Sequence, residues 1–577
     1  MIIYLELIYS IICDFRTPFI GIIFAILMTL LISLIDKKWI RNTIYVVVFL
    51  IFLVYYIYYN LFGLHLSVSV LLNSLGTLKF GGMILNKINV LHLTLIFVSL
   101  AFLFIPFSFS LSKRNKWIII VVLLLLYSGL VLIDNRDIYS KYNLFFKVQN
   151  NEENVKKFGL LSSIGLDISK TVLKFKDDSN VDFSKICDDD EICEISKYLE
   201  SRTETEKNEY TGIFKGKNLI VFLAESFHPA GVDKELTPTL YKMINSGFKF
   251  ENYYTPLFPV STADSQYMLD YSLLPVTNGW SMTMTTDKSP IYSYPKVFVG
   301  YKSFAYHNYK YTYYQRDEYM ANLGYQSYLG CGNGLESRMD CTLGQNSDLE
   351  MIETTVDDYI YEDKFLVYYT TMSGHANYDR NSAMVKKNYD KVESLPYSEN
   401  VKGYIATQIE LDNALKYLIE RLDEEGKLED TVILLSGDHP PYALDLEELG
   451  ERLDYSVDRT FEKFHSNLII YNPLIKDVVI DKSCSTLDVL PTMLNLFGIN
   501  YDKRLLFGND IFNDEKELVI FSSGSFIYDG NKYNASNERV EEGSLSEEEV
   551  KEIKNRIYLM YRYSRMILNS NYYSYIT

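Results

Sequence analysis

Residues 218–227 read Asn-Leu-Ile-Val-Phe-Leu-Ala-Glu-Ser-Phe, a nearly unbroken apolar run that ends on a carboxylate. A strand with one wet face alternates polar and apolar residues. This run does not, so it reads as a strand buried on both faces, the kind found in parallel sheets covered by helices. Outward from it the two periodicities alternate. Thr237 and Pro238 open a helix over 238–246 as N-cap and first residue. Residues 365–371 (Phe-Leu-Val-Tyr-Tyr-Thr-Thr), 431–436 (Thr-Val-Ile-Leu-Leu-Ser) and 467–471 repeat the buried-strand pattern. Ile405, Ile409, Leu415, Leu418 and Leu422 predict a helix over 401–422, and another follows over 486–497. A Ser546/Glu549 capping box opens a last helix that runs to about residue 568. Strands alternating with helices predict an α/β domain with a mainly parallel central sheet.

Polar residues sit where such a sheet places its ligands, just past the carboxyl ends of strands. Glu225 follows the first run, His375 follows the second through Met372-Ser373-Gly374, and Asp438-His439 follows the third through Gly437. Any one of these is more often a cap or turn residue; their repetition at three strand ends is the signal. Glu, Asp and His together form an oxygen and nitrogen donor set suited to Mn²⁺, Zn²⁺ or, less well, Mg²⁺. Thr262 opens a helical stretch over 263–273 after a loop with two prolines. A hydroxyl at a helix start is usually an N-cap, but the same geometry aims backbone N–H groups at an incoming phosphate. A metal on that oxygen makes it a nucleophile.

The rest of the chain is lopsided. Residues 1–135 hold long apolar runs, and residues 150–577 carry almost all the acid. Runs at 19–35, 43–62, 88–110 and 116–133 approach the ~20 apolar residues needed to cross a bilayer. Residues 1–13 are short for a span and read as a truncated first helix or an interfacial segment. No basic start with a small-residue cleavage site precedes them, so the spans are expected to stay as anchors. Lys37, Lys38 and Arg41, and Lys113, Arg114 and Lys116, mark two cytoplasmic loops, which puts everything after Asp134 outside. The expected organisation is therefore a transmembrane domain over 1–135, a juxtamembrane connector over 136–205 with one helical stretch near 158–173, an extracytoplasmic catalytic domain over 206–515, and an extension with a terminal helix over 516–577. A net charge of −18 argues against a nucleic-acid partner. Cys331 with Cys341, or Cys187 with Cys193, is compatible with a disulfide in an oxidising exterior, and free thiols are equally compatible.

With these residues in place the chain resembles the lipoteichoic acid synthase family, the polyglycerolphosphate-making branch of the alkaline phosphatase and sulfatase superfamily. Glu225-Ser226-Phe227 matches the family's metal-binding glutamate, Thr262 its catalytic threonine, and Gly437-Asp438-His439 its Gly-Asp-His metal motif. His307 and Arg316, nine residues apart, match its substrate-phosphate contacts, and His375 a further substrate-site histidine. Residues 487–494 resemble a structural Asp-x-x-Pro-Thr element of the superfamily. Departures are Val260-Ser261 where the family has Gly-Lys before the threonine, and Tyr314 where well-studied members have Trp. His465 stands near a metal-site histidine of the related zinc phosphoethanolamine transferases, and an ordinary packing role is the leading alternative. His228 is equally ambiguous.

The resemblance implies one divalent cation, Mn²⁺ first with Mg²⁺ or Zn²⁺ as alternatives, and a phospho-threonine intermediate. It also implies phosphatidylglycerol as donor and a glycolipid or polyglycerolphosphate chain as acceptor, at the cell membrane. Three other readings stay open: a phosphoethanolamine transferase, a phosphodiesterase or phosphatase, and a non-catalytic membrane scaffold.

Overall fold

The structure, a computed structural model, describes residues 1–13, 15–62, 65–66, 68, 112–134, 140–146, 151–172, 190–203, 206–277 and 279–575. The apolar N-terminal part forms helices α1 (Ile2–Ile12), α2 (Phe19–Ser33), α3 (Lys38–Phe62) and α4 (Lys113–Ile133). Among the described residues only α3 and α4 are long and apolar enough to cross a membrane. The span expected over 19–35 is met by α2, whose 15 residues rise roughly 22 Å, short of a full crossing if untilted. The span expected over 88–110 lies outside the described residues. The connector's expected helical stretch near 158–173 is α6 (Leu160–Val172), and a helix that the sequence did not suggest, α5 (Asn151–Phe158), precedes it. Gly159 separates them at φ +81°, and its Cα packs on Gly21 of α2. The buried Glu6 carboxylate of α1 accepts the free N–H groups of Leu160 (2.9 Å) and Leu161 (2.7 Å) at the start of α6.

The sheet that follows the connector has six strands: β1 (Asn218–Ala224), β2 (Lys302–Lys310), β3 (Ser327–Cys331), β4 (Phe365–Thr370), β5 (Thr431–Gly437) and β6 (Leu468–Tyr471). Their spatial order is β3-β2-β4-β1-β5-β6. All neighbours are parallel except β6, which runs antiparallel to β5. In β1, Leu219, Val221 and Leu223 face one core while Ile220, Phe222 and Ala224 face the other. The apolar run in the sequence is the direct consequence of these two cores, each large side chain contributing about 1.5–3 kcal/mol of burial. The first core also holds α7 (Thr262–Tyr271), α11 (Thr486–Leu496) and α12 (Glu547–Ser570). The second holds α9 (Asp348–Thr355) and α10 (Glu399–Glu424). Between them in chain order, α8 (Arg316–Leu323) follows β2. Beyond the sheet, a four-stranded antiparallel sheet spans residues 518–542 and is followed by α12.

A disulfide joins Cys331, at the end of β3, to Cys341. Cys187, of the other pair considered, lies outside the described residues. The C-terminal body meets the N-terminal part at several places, among them Tyr558 of α12 packed beside Ile20, Val131 and Phe158. The Tyr58 hydroxyl of α3 donates to the Pro259 carbonyl (3.4 Å), and Lys156 of α5 donates to the Ser523 (3.2 Å) and Ala535 (3.4 Å) carbonyls.

Candidate active site

Four chain segments meet at the carboxyl ends of β1, β4 and β5. Glu225 follows β1; its N–H donates to Thr371 Oγ1 (3.0 Å), and the Ser226 hydroxyl donates to its Oε1 (2.8 Å). Asp438 follows β5; its Oδ1 accepts the N–H groups of Ser226 and His439, both at 2.7 Å, while its Oδ2 is buried without a hydrogen-bond partner. His439 Nδ1 lies 3.0 Å from the Pro440 carbonyl, so it carries the ring proton and leaves a lone pair on Nε2. That Nε2 lies 3.2 Å from Asp438 Oδ2 and 3.6 Å from Glu225 Oε1.

The donor atoms of Glu225, Asp438 and His439 all lie within 4.8 Å of one another, the one such group among the described residues. Burial, with the Asp438 charge beside it, pushes the Glu225 carboxyl up to about 8. An orphaned carboxylate oxygen, a second carboxylate and an outward-anchored imidazole fit a divalent cation, which turns their mutual repulsion into coordination.

Thr262, the first residue of α7, brings its Oγ1 to 3.4 Å from the same His439 Nε2. The Ser265 hydroxyl, one turn on, donates to the Asp438 carbonyl, so α7 is fastened to the segment bearing two of the donors. Two glycines allow the convergence. A Cβ on Gly374 would stand 2.1 Å from the Glu225 carbonyl oxygen, and one on Gly437 would stand 2.6 Å from that of Phe227. The backbone is strained nearby. Of eight non-glycine residues with positive φ among those described, four flank candidate residues: Ser226, Ser261, Tyr314 and Gln315. Each costs roughly 1–3 kcal/mol and persists only where surrounding structure enforces it.

Arg316 opens α8 with 1% of its surface exposed; its Nε–H donates to Gln266 Oε1 (3.1 Å), and its NH1 has no partner. A buried guanidinium with an idle N–H₂ is a ready phosphate contact. Tyr314 sits beneath it, 5.8 Å from ring centre to guanidinium carbon, and packs on Trp280. His307, in β2, has Nδ1 3.0 Å from the Thr370 carbonyl, and its buried Nε2 is unpartnered. Burial and the nearby Arg316 charge hold it well below the usual histidine range, hence neutral. His375 has Nδ1 2.7 Å from the Ala376 carbonyl, and burial lowers it too. Tyr442 packs on the His439 ring at 4.7 Å.

His465 is not brought into the donor group. Its ring nitrogens bond Tyr455 OH (3.1 Å) and the Glu251 carbonyl (2.7 Å), because the short strand His465–Ser466 pairs with Tyr253–Tyr254 away from the cluster. His228 accepts the Ala230 N–H (3.2 Å) and is likewise outside the cluster. Sequence reasoning passed over Asp348, which is wholly buried in α9. Its carboxylate accepts the N–H groups of Met372 (2.9 Å) and Ser373 (3.2 Å), the Ser373 hydroxyl and the Asn308 amide (2.8 Å), and so pins the loop leading to His375. Its only signal was an acid in the first turn of a helix, a pattern shared with exposed acids.

This fold and this constellation define a domain of the sulfatase and alkaline-phosphatase type. The sequence model of the Sulfatase family matches residues 217–499. Lipoteichoic acid synthase 1 of Bacillus subtilis is 26% identical over 394 residues, 64% of this chain and 60% of its own length. The lipoteichoic acid synthase of Staphylococcus aureus is 26% identical over 378 residues, 60% of this chain and 56% of its own. This chain thus spans less than two thirds of these relatives. The crystal structure of the lipoteichoic acid synthase LtaP from Listeria monocytogenes superposes with a TM-score of 0.56 at 20% identity, covering 66% of this chain and 98% of that one. Residues 217–499 thus carry a Sulfatase-type domain, and the chain is similar to the lipoteichoic acid synthases.

Proposed function

We propose that this protein is a membrane-bound, metal-dependent phosphoglycerol transferase. It moves glycerol phosphate from phosphatidylglycerol to a glycolipid or polyglycerolphosphate acceptor through a phospho-threonine, with a multi-pass anchor and the catalytic domain outside the cell. The observation that carries this reading is the Thr262 hydroxyl, 3.4 Å from His439 Nε2 within the group of Glu225, Asp438 and His439.

Those three residues with Thr262 Oγ1 would hold one divalent cation, Mn²⁺ by preference. The cation supplies Lewis-acid chemistry, lowering the pKa of the threonine hydroxyl and offsetting phosphate charge. Arg316 binds a non-bridging phosphate oxygen through its free N–H groups, with Tyr314 walling the same side. Thr262 Oγ attacks phosphorus; an oxygen–phosphorus bond forms to the threonine as the bond to the diacylglycerol oxygen breaks, and diacylglycerol leaves as an alcohol with one proton. The acceptor hydroxyl then attacks the same phosphorus and returns the threonine to its hydroxyl form. His307 and His375, both neutral with Nε2 lone pairs, are placed to accept hydrogen bonds from the headgroup, and His375, the less strongly lowered of the two, to take and return a proton. The membrane helices hold the site at the surface where donor and product reside, which raises their effective concentration.

The test is incubation of detergent-solubilised protein with labelled phosphatidylglycerol and Mn²⁺, comparing wild type with Thr262→Ala. Diacylglycerol release by wild type alone supports the reading. Equal release by both excludes Thr262 as nucleophile.

A further inference from the structure

Thr262, Gln266 and Asp270 lie four and eight residues along α7, a spacing that places them on one helical stripe. All but the first are buried, Gln266 completely and Asp270 with 4% exposed. A glutamine in the interior needs a reason. Gln266 Oε1 accepts the Arg316 Nε–H at 3.1 Å, and its amide nitrogen is buried with no hydrogen-bond partner. Asp270 accepts the Tyr319 hydroxyl at 3.0 Å. Its carboxyl is pushed up to about 7 by burial, against the opposing pull of Tyr319 and the Arg316 charge.

An arginine fork has five N–H donors in one plane, and fixing Nε–H fixes the direction of the rest. With Nε–H held by Gln266, a side-on two-pronged pair with Asp270 through Nε–H and a terminal N–H is closed. NH1 stays unpartnered. A bidentate Asp270–Arg316 pair would satisfy the guanidinium internally and remove it from phosphate binding.

We propose that Gln266 is a positioning residue for phosphate: its carbonyl oxygen locks the Arg316 guanidinium in the orientation that offers its terminal N–H groups to a substrate phosphoryl oxygen, while the Asp270 carboxyl stays bonded to Tyr319. Because Gln266 and Thr262 share one helix, nucleophile and arginine fork are set by the same rigid element. This rests on the transferase reading for its substrate, but the phosphate chemistry it describes is independent of which lipid carries the phosphate.

The experiment is a double-mutant cycle in the full-length, Mn²⁺-loaded protein. Inorganic phosphate is the calorimetric probe and diacylglycerol release is measured in parallel. Gln266→Met keeps the length of the side chain and removes the acceptor; Arg316→Met keeps the arginine's stem, so that folding is judged on two near-isosteric variants by their thermal midpoints. The expected result is a phosphate affinity lowered about tenfold by Gln266→Met in the wild-type background and unchanged by it when Arg316 is already Met, since neighbours acting as a unit are not additive. An equal loss in both backgrounds, which a merely structural role produces, overturns the proposal, as does no loss at all. If phosphate binding shows the coupling but no protein releases diacylglycerol, the lipid reading fails and this one stands. Normal release without coupling gives the reverse.

Discussion

Gly374→Ala asks how tightly the loop after β4 must pack on the segment after β1. The added methyl carbon would sit 2.1 Å from the Glu225 carbonyl oxygen and 3.2 Å from its carbonyl carbon, and the Gln408 amide is 3.0 Å away. Ordinary contact begins near 3.4 Å, so backbone must separate by more than an ångström. Neither side yields easily. Glu225 is held by Thr371, and the 372–373 segment by Asp348. Overpacking of this kind costs roughly 1–3 kcal/mol. In a catalytic domain of this size that lowers the thermal midpoint by several degrees, about 2–4 °C for each kcal/mol. Activity should suffer far more, because displacing a catalytic group by ~1 Å costs on the order of a hundredfold. The assays are Mn²⁺ titration by calorimetry, diacylglycerol release and thermal unfolding. Gly450→Ala, at a helix position with nothing within 4 Å, is the matched control and should leave all three unchanged. Wild-type cation affinity and turnover in Gly374→Ala would refute the account of how Glu225 is placed.

Cation binding must displace the proton that burial retains on Glu225, whose carboxyl is pushed up to about 8. Mn²⁺ affinity is therefore expected to rise roughly tenfold per pH unit between pH 6 and 8 and to flatten above, as read by calorimetry. In chelator, Asp264 and Asp270, raised to about 7 by burial, and Glu225, raised to about 8, hold protons that the unfolded chain releases above roughly pH 4, so stability is lost progressively as pH rises to 8. His228, lowered to about 3, together with His307 and His375, opposes this only below about 6.5, where the unfolded chain takes up protons that the fold refuses. Urea midpoints are therefore expected to fall between pH 6.5 and 8.5, and midpoints that climbed over that interval would contradict this. Reducing the disulfide between Cys331 and Cys341, ten residues apart, should cost about 3 kcal/mol by loop entropy, seen as a lower thermal midpoint in dithiothreitol.

The sheet's centre was legible because its strands are buried on both faces. The expected strand at 218–224 is β1 to the residue, and those at 365–371 and 431–436 differ from β4 and β5 by one residue. The helix expected over 401–422 is the core of α10. The edge strand β6 was legible too, as the run at 467–471, but β2 and β3 on the other side of the sheet were not. β2 reads Lys-Ser-Phe-Ala-Tyr-His-Asn-Tyr-Lys, and its polar residues are paid for by hydrogen bonds across the sheet that no local pattern reveals. The sheet over 518–542 is built of strands only three or four residues long, too short for a period to register. At the site, residues ending a strand stood out, because their type changes abruptly from apolar to charged. Gln266 and Asp270 did not, since a polar residue inside a helix looks solvated until its neighbours are known. The break at Gly159 was hidden for the same reason: the groups that accept it, Glu6 and Gly21, are more than a hundred residues away.

The contacts of Tyr58 with Pro259, and of Lys156 with Ser523 and Ala535, moor the catalytic body on two flanks. One of these moorings lies three residues before Thr262. If the protein works as proposed, a body so tied would not swing out to meet a lengthening product, and its working height over the bilayer would be fixed. On the proposed reading, each cycle must draw the acceptor's free end back to the same spot and let the finished portion slide away, so polymer length is limited by how readily the chain threads past a stationary tool.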